Sequence, residues 1–465
     1  MQQERPVTSS VHSTLSLAQL SRELTGRIIT PDDGEYDAAR TVVSGEIDCR
    51  PAAIVRVADA TDVARVIDFA RENAVELAVR SGGHSGAGHG TTEGGIVLDL
   101  RDMKDIAIDP EASTAWAESG CTAAEVTAAT AANGLAIGFG DTGSVGIGGI
   151  TLGGGVGYLV RKHGLTIDNL LAAEIVTADG ELLRVDNDNH PDLFWAIRGG
   201  GGNFGVVTRF LYRLHPLEQV TGGMLILPAD AEIISGFMAL LESAPDELSG
   251  IANVMNCPPM PFVPEEHHGS LVVMAMLCHA GDADAGEQAM APFRALAEPL
   301  ADLVKSMPYP EMFPPEDGSY RPTAASLTML TERIGLEESQ TIMERLAESD
   351  AAVRVAQLRV LGGAMARVNA DATAFVHRSS RIMVNVAAFY EGAEDRPGRA
   401  AWVAELAGAL RQGDDGVYVN FLADEGPDRV RAAYPGATWD RLTEVKARYD
   451  PTNLFHRNQN VPPAQ

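Results

Sequence analysis

The chain has 465 residues, of which 45% are hydrophobic and 22% are charged, so it can form two or three domains with a substantial core. Its 36 basic and 64 acidic residues give a net charge of −28, which disfavours nucleic acid and anionic membrane surfaces as partners. The four cysteines form no Cys-x-x-Cys pair, so neither a disulfide framework nor a zinc ribbon is predicted. With no signal-peptide pattern and no apolar run able to span a membrane, a cytoplasmic protein is expected.

Residues 1–46 are polar and weakly patterned, and we expect a short helix and a lead-in there. From Pro51 onward the pattern predicts an α/β unit. It consists of a strand over 51–57, a helix with Thr61 as its N-cap, a strand over 75–79 and a loop rich in glycine and serine.

Two further strands and a helix are predicted next, at 94–100, 113–120 and 121–134. Residues 138–157 then contain ten glycines in twenty positions. A hairpin turned at Asp179-Gly180 follows. The first domain is predicted to end near residue 217.

From about residue 220 the chain alternates between apolar and polar residues, as is typical of antiparallel strands, in GGMLILPA, GSLVVMAMLC, VRVAQLRVLGG and RIMVNVAAFYEG. Helical patterns separate these stretches at 230–243, 283–305, 325–348 and 397–411. This order predicts an α+β domain with helices on one side of a sheet. The last fifty residues contain YVNFLAD and then a helix that Asp450-Pro451 ends.

The segment GFGDTG (138–143) matches the dinucleotide fingerprint Gly-x-Gly-x-x-Gly, which requires a helix directly after it. The next residues, SVGIGGITLGGGVG, are not expected to form a stable helix, so a Rossmann fold is rejected. Glycine backbone can instead approach a phosphate or a flat ring closely, because no Cβ is in the way. The alternative is that these glycines serve only tight turns.

The loop Arg80-Ser-Gly-Gly-His84-Ser follows a predicted strand and suggests an anion cradle in which Arg80 supplies the charge. Four neighbours add donors or room for close approach: Ser81, Gly82, Gly83 and Ser85. His84 and His89 are five residues apart, with no cysteine or carboxylate pair nearby, so no metal site is predicted. A lone histidine in such a loop is otherwise simply exposed.

A second glycine loop, GGGGNFGVV (199–207), enters a predicted strand. Together with the run at 138–157, it implies a long, extended ligand that lies against backbone. A dinucleotide bound outside a Rossmann fold fits this description.

Several motifs together resemble the berberine-bridge-enzyme-like oxidases of the vanillyl-alcohol oxidase superfamily, in their bacterial hydroxynicotine-oxidase-like branch. They are RSGGHS, the glycines of 138–157, RKHGLTIDN, PDLFWAIRGGGGNFGVVT and RYDPTNLFHRNQNVPP, which cover both ends of the chain. The resemblance implies an α+β fold with a PCMH-type FAD-binding domain over 47–217. It further implies a substrate domain over 218–412 and a C-terminal segment, 413–465, that returns to the FAD domain.

The resemblance also implies that FAD is bound covalently through the ring of His84. Relatives that attach FAD twice carry a cysteine where Thr142 stands here, so a single link is expected. Where plant members often have a histidine near the flavin, this chain has Ile150, so another group must stabilise the reduced flavin. The other residues expected to contact FAD are Arg80, Ser81, Gly82, Gly83, Ser85, Val145, Gly146, Gly149, Gly155, Asn203, Gly205 and Val207.

The implied reaction moves a hydride from a substrate C–H to flavin N5 while a base removes a proton, and dioxygen then reoxidises the flavin with release of hydrogen peroxide. Tyr418, expected on a strand, matches the family pattern Tyr-x-Asn-Tyr/Phe and is the first candidate for the base. Since a free tyrosine has a pKa near 10, it would need a Lys or Arg neighbour or would act only as a hydrogen-bond partner. Tyr418 also fits an ordinary strand position, and Tyr158, Tyr390 and His377 are weaker candidates.

The leading hypothesis is therefore an FAD-dependent oxidase of an alcohol, sugar or amine. The alternative is an FAD-dependent tailoring oxidase or oxygenase of an aromatic natural product. A non-catalytic binding protein is disfavoured because His84 and the glycine run are present, and a metallohydrolase because no ligand set is found. The net charge of −28 predicts a neutral or cationic substrate.

Overall fold

The computed structural model describes residues 10–314, 318 and 321–465, so residues 1–9 of the expected lead-in lie outside it. The strands are β1 (Arg27–Ile29), β2 (Ala53–Arg56), β3 (Leu77–Arg80), β4 (Ile96–Asp99), β5 (Ile106–Asp109), β6 (Thr114–Glu118), β7 (Leu135–Ala136), β8 (Leu170–Val176), β9 (Leu182–Val185), β10 (Val206–Arg213), β11 (His215–Pro216), β12 (Val220–Pro228), β13 (Leu248–Asn256), β14 (Leu271–His279), β15 (Ala301–Asp302), β16 (Lys305–Met307), β17 (Ala324–Thr331), β18 (Arg354–Val360) and β19 (Ile382–Phe389).

The helices are α1 (Ser10–Glu23), α2 (Tyr36–Arg40), α3 (Ala60–Glu72), α4 (Ala123–Ala131), α5 (Ile147–Gly153), α6 (Val160–His163), α7 (Pro191–Ala196), α8 (Ala231–Ser243), α9 (Ala283–Arg294), α10 (Leu336–Glu348), α11 (Ala364–Arg367), α12 (Arg396–Ala409), α13 (Pro427–Ala433) and α14 (Ala437–Tyr449). In the described part of the chain, no helix is long and apolar enough to cross a membrane.

The strands before residue 217 form two main sheets. The first has the order β1-β2-β4-β3, and its last three strands run parallel. The second has the order β5-β6-β10-β8-β9 and is antiparallel. The expected strands are confirmed as β2, β3, β4 and β6, and the expected hairpin as β8 and β9, whereas β1 and β5 were not predicted.

Helix α3 has a different N-cap from the one expected. The cap is Asp59, whose side chain accepts a hydrogen bond from the backbone N–H of Asp62 at 2.9 Å. Thr61 lies inside the first turn and is exposed. The expectation for Thr61 was wrong because an aspartate two residues earlier already satisfies a free N–H of the first turn.

A helix does form after the fingerprint-like segment, contrary to expectation. Helix α5 contains three glycines, yet Ile147 and Thr151 are fully buried, and Thr151 Oγ1 lies 2.8 Å from the Tyr212 hydroxyl. Packing against neighbouring segments thus outweighs the poor helix propensity of glycine. The rejection of a Rossmann fold remains, because the strands that follow α5 belong to the antiparallel sheet.

The strands from β12 to β19 form one large antiparallel sheet, with the order β15-β12-β14-β13-β18-β19-β17 and β16 paired to β12. Helices α8, α9, α10 and α12 pack on one face around a continuous apolar core. The opposite face, which holds Asn253, Gln357 and Asn385, is called the open face below.

Two of the predicted helices in this region were too long. The expected helix over 283–305 ends at Arg294, and the residues after it pair with β12 as β15 and β16. The first part of the expected helix over 325–348 is β17, which pairs with β19 along eight residues, and only the second part is helical. In both places strand pairing outweighs the local pattern. The strand β13 was not predicted.

The C-terminal segment differs from the expectation at one point. Tyr418 does not lie on a strand; it precedes a 3-10 turn over Val419–Phe421. The expected helix after it is confirmed as α14, which ends before Asp450-Pro451. In α14 the ammonium of Lys446 is fully buried and donates to the carbonyls of Asn203 and Phe455 and to Asp450. This single cation therefore joins the helix to the second glycine loop and to the tail.

Candidate active site

Five segments of the chain meet around one cavity of about 360 Å³, called the main cavity below. Its wall includes residues from 77–90, 140–156, 201–207, 418–422 and 455–459. The volume falls within the range of about 300–1,000 Å³ that is usual for ligand sites.

Two glycine segments touch backbone to backbone in the wall of the main cavity. A methyl group on Gly146 would overlap the nitrogen of Gly82, and one on Gly82 would overlap the nitrogen of Gly146. Ser81 fixes the same contact, since its hydroxyl donates to the carbonyl of Ser119 at 2.6 Å and accepts from the N–H of Gly148 at 3.3 Å. Glycine is thus required here for close approach as well as for turning.

His84 follows Gly82 and Gly83 in the same loop and lines the main cavity. Its Nε2 is 3.1 Å from the hydroxyl of Ser144, a residue of the 138–157 glycine run. Gly83, with a φ of +74°, turns the loop immediately before it. Thr142 also lines the cavity, and none of the described lining residues is a cysteine.

The charge of Arg80 was expected to bind an anion, but it is neutralised within the fold. Its guanidinium is fully buried, donates to the Asp99 carboxylate at 2.8 Å and to the carbonyl of Ala39 at 2.7 Å, and is thereby committed to the fold. Burial lowers the pKa of Arg80 to about 10, while Asp99 acts in the opposite direction. Arg80 therefore contributes to the cavity as a rigid end of β3, and its charge is already paired.

Most other residues expected at the cofactor do line the main cavity: Ser81, Gly82, Gly83, Ser85, Val145, Gly146, Gly149, Asn203, Gly205 and Val207. Gly155 is not among the lining residues; it lies behind them, where its N–H donates to the Tyr418 hydroxyl at 2.9 Å.

The tail supplies lining residues that the sequence analysis did not name, Arg457, Asn458 and Gln459. The tail is fastened to the second glycine loop, because Asn203 donates to the carbonyl of Gln459 at 3.1 Å and accepts from the N–H of Val461 at 2.9 Å. The available signal was the polar run RNQN, which stood out only as part of a family motif. His89 is a further lining residue, and burial lowers its pKa to about 4, so it is neutral.

The hydroxyl of Tyr418 accepts hydrogen bonds from three N–H donors. They are the backbone of Gly155 at 2.9 Å, the backbone of Val156 at 3.3 Å and the side chain of Asn420 at 2.8 Å. These bonds favour the phenolate, but burial is the larger effect and raises the pKa of Tyr418. At neutral pH the residue is thus a buried phenol whose oxygen lies among donors suited to a negative charge.

A cation from the large sheet reaches the same corner of the main cavity. Arg359, on β18, donates to the carbonyl of Val156 at 3.1 Å and pairs with Asp141. Its guanidinium also lies 5.6 Å from the ring centre of Phe421. A Lys or Arg neighbour was one of two alternatives for Tyr418, but Arg359 could not be named from the sequence, because the two residues are 59 positions apart (418 − 359).

The chain is similar to known FAD-linked proteins over nearly its whole length. A model of the FAD binding domain matches residues 51–186, and a model of the berberine and berberine-like family matches residues 417–462. The (R)-6-hydroxynicotine oxidase of Paenarthrobacter nicotinovorans is 32% identical over 457 residues, which cover 94% of this chain and 97% of that protein. The chain belongs to the berberine-bridge-enzyme-like family of FAD-linked oxidoreductases.

Two further similarities extend over nearly the whole chain. The xylooligosaccharide oxidase of Thermothelomyces thermophilus is 30% identical over 454 residues, which cover 89% of this chain and 88% of that protein. The crystal structure of 6-hydroxy-D-nicotine oxidase from Arthrobacter nicotinovorans superimposes with a TM-score of 0.84 at 30% identity, covering 95% of this chain and 98% of that one. The expected PCMH-type FAD-binding fold of this family is confirmed.

The main cavity of this berberine-bridge-enzyme-like oxidoreductase fits FAD. Three lining residues each contain a buried polar side-chain atom without a hydrogen-bond partner among the described residues: Arg80 Nε, Arg457 Nε and Asn458 Oδ1. Such atoms suit the polar ribose and phosphate parts of a dinucleotide, and the glycine backbone leaves room for a flat ring.

The weaker candidates for the base are not brought to the main cavity. The Tyr390 hydroxyl bonds to Glu46, and the ring of His377 lies 3.1 Å from the carbonyl of Ala433 through Nε2. Tyr158 is buried against Phe313, and burial raises its pKa. Among the described residues, no group of histidine, cysteine and acidic side chains could hold a metal ion.

Proposed function

We propose that this FAD-linked oxidoreductase is an oxidase that holds its FAD through one covalent bond, to His84. The observation that carries the proposal is the position of His84 on the wall of the main cavity, together with Thr142 and with no cysteine among the described lining residues. The likeness to an (R)-6-hydroxynicotine oxidase and a xylooligosaccharide oxidase supports oxidase activity. When bound, FAD supplies the hydride acceptor at N5 and passes the electrons to dioxygen, with release of peroxide.

In this proposal Tyr418 removes the substrate proton at its phenolic oxygen. The three N–H donors would stabilise the phenolate, and the Arg359 guanidinium, which bonds to the same residue, Val156, would lower the cost of its charge. Residues 47–217 and 413–465 would bind FAD, and residues 218–412 would bind the substrate, an alcohol, sugar or amine. A cytoplasmic location is supported by the four cysteines, all of which are free.

The proposal is tested on protein purified with its flavin. After acid precipitation the pellet should remain yellow, and a single peptide, the one containing His84, should carry the flavin mass. His84→Ala should retain only dissociable flavin, because the backbone cradle remains. The matched control is His89→Ala, which alters another histidine of the same loop and should keep the covalent flavin. A colourless parent pellet, or flavin mass on another peptide, would refute the single link.

Oxidase activity is tested by following dioxygen and peroxide over a panel of alcohols, sugars and amines, with no added nicotinamide cofactor or metal. One peroxide per dioxygen consumed is expected. Consumption of dioxygen without peroxide would instead favour an oxygenase acting on an aromatic natural product.

A further inference from the structure

The open face of the large sheet carries a row of carboxamides. The register places Asn253 opposite Gln357, and Gln357 opposite Asn385, so the three side chains stand side by side across β13, β18 and β19. Gln357 Nε2 donates to Asn253 Oδ1 at 3.0 Å, and Asn253 Nδ2 donates to the carbonyl of Met274 at 3.1 Å. All three carboxamides are partly exposed.

Methionines surround this row. The register sets Met274 beside Asn253, Met224 beside Met276, and Met383 beside Arg359, all on the same face. Thioether side chains are polarizable and adapt to the faces and edges of aromatic rings. Met274 and Met383 are buried, whereas Met224 and Met276 are partly exposed, so the open face presents these two methionines beside a line of hydrogen-bonding groups.

The side chain of Arg359 links the open face to the wall of the main cavity. Arg359, two residues after Gln357 on the same face, donates to the Gln357 side-chain oxygen at 3.2 Å. The same guanidinium bonds to Val156 and pairs with Asp141, and both of these residues line the main cavity. A molecule that lies on the carboxamide row would therefore extend towards the proposed flavin site.

The charge of the open face is low. Among the side chains that β12, β13, β14, β17, β18 and β19 place on it, all in the described part of the chain, Arg359 is the only charged one, and Asp141 pairs with it. These strands place no carboxylate there that could receive an ammonium group. The general field of the protein attracts cations, but this surface offers no partner for one.

We infer that the substrate is an uncharged aromatic molecule with hydroxyl or carbonyl groups, and that Asn253, Gln357 and Asn385 determine this specificity. The inference rests on the proposed function and narrows its substrate class. The ring would lie against Met224 and Met276, and its oxygen atoms would bond to the carboxamides. Cationic amines are disfavoured, because these six strands place no carboxylate on the open face as a counter-ion for a buried ammonium.

The test measures binding rather than turnover, so it is independent of whether oxidation occurs. The probes are para-hydroxybenzyl alcohol and para-hydroxybenzylamine, which differ only in a neutral or cationic end, and cellobiose as a neutral sugar. Each is titrated anaerobically at neutral pH into holoprotein whose flavin has first been reduced with dithionite, so that no hydride transfer can occur, and the change in the flavin absorption spectrum gives the Kd. The alcohol should bind about tenfold or more tightly than the amine, and cellobiose should bind most weakly.

Asn385→Asp should narrow the preference for the alcohol over the amine by about tenfold, because it places a carboxylate in the row. Asn253→Asp is the second variant, in case the first does not fold. The matched control is Asn369→Asp, which makes the same change at an exposed position after α11 and should leave both Kd values unchanged. Equal binding of amine and alcohol, tighter binding of cellobiose, no binding of any probe, or an unchanged ratio in both Asp variants would overturn the inference. A failure of the proposed function would show separately, as acid-released flavin or absence of peroxide.

Discussion

The main cavity and the open face are adjacent, but they are built in different ways. Part of the cavity wall is glycine backbone, and the backbones of Gly82 and Gly146 are in direct contact there. The open face consists of side chains that become neighbours only through the pairing of strands far apart in the chain, as with Asn253 and Gln357. A cofactor shared by a family is thus held by a conformation that glycine permits, whereas a substrate is selected by side chains that can vary without changing the backbone.

The largest effect is expected from Lys446→Met, which removes the buried cation that joins α14 to the second glycine loop and the tail. This change leaves the buried carboxylate of Asp450 without its cation, so the free energy of unfolding should fall by about 3–5 kcal/mol. Flavin fluorescence during urea unfolding measures the change. The control is Lys104→Met, which removes an exposed pair with Glu125 and should cost about 1 kcal/mol or less. Equal losses for the two variants would mean that the buried cation does not anchor the cavity.

Substitution of Tyr418, at the corner of the main cavity, should affect the rate of flavin reduction and not the flavin content. Tyr418→Phe should lower the rate of flavin reduction by about 10²-fold or more, with the flavin content unchanged, as measured by anaerobic stopped flow. The pKa of Tyr418 is raised, so its phenolate forms only in the alkaline range. The rate of flavin reduction in the parent protein should therefore increase through that range.

The increase in the rate of flavin reduction with pH should disappear in the Tyr418→Phe variant. The matched control is Tyr390→Phe, which removes a hydroxyl that bonds to Glu46 outside the cavity wall and should leave both the rate and its pH dependence intact. If the flavin of the Tyr418→Phe variant were reduced at the parent's rate, Tyr418 would have a purely structural role.

A single methyl group tests whether backbone contact builds the cavity. Gly146→Ala should destabilise the protein by about 1–3 kcal/mol and weaken flavin retention, because the new carbon would overlap Gly82. Gly86→Ala adds the same group to the exposed part of the neighbouring loop, where no atom lies within 4 Å, and should change neither property. Thermal unfolding and the ratio of bound flavin to protein provide the measurements.

The smallest effect is expected from the loss of one carboxamide on the open face, and it concerns ligand binding. Asn385→Ala should raise the Kd of para-hydroxybenzyl alcohol by roughly three- to tenfold, the loss of one hydrogen bond of about 0.5–1.5 kcal/mol. Flavin content and thermal stability should stay at the parent's values, as should the Kd in the control Asn369→Ala. If flavin were lost along with the ligand, the open face and the main cavity would not be separable.

This contrast explains what could be predicted from the sequence. The loop of His84 and the glycine run stood out by their composition, and the resemblance to a family then implied their role at the cofactor. The carboxamide row was not, because it depends on the register between β13, β18 and β19, and β13 itself was missed. The charge of Arg80 was misjudged for the same reason, since its partner Asp99 is brought next to it only by the pairing of β3 with β4.

The tail that closes the main cavity also sets the order of events during synthesis. His84 precedes Phe455, the first lining residue of the tail, by 371 positions (455 − 84). At about 5–20 residues per second, a ribosome needs roughly 20–75 s to cover that distance. During this interval the glycine loops of the nascent chain lack the tail that fastens them. The complete wall of the main cavity can therefore form only after the tail has been synthesised.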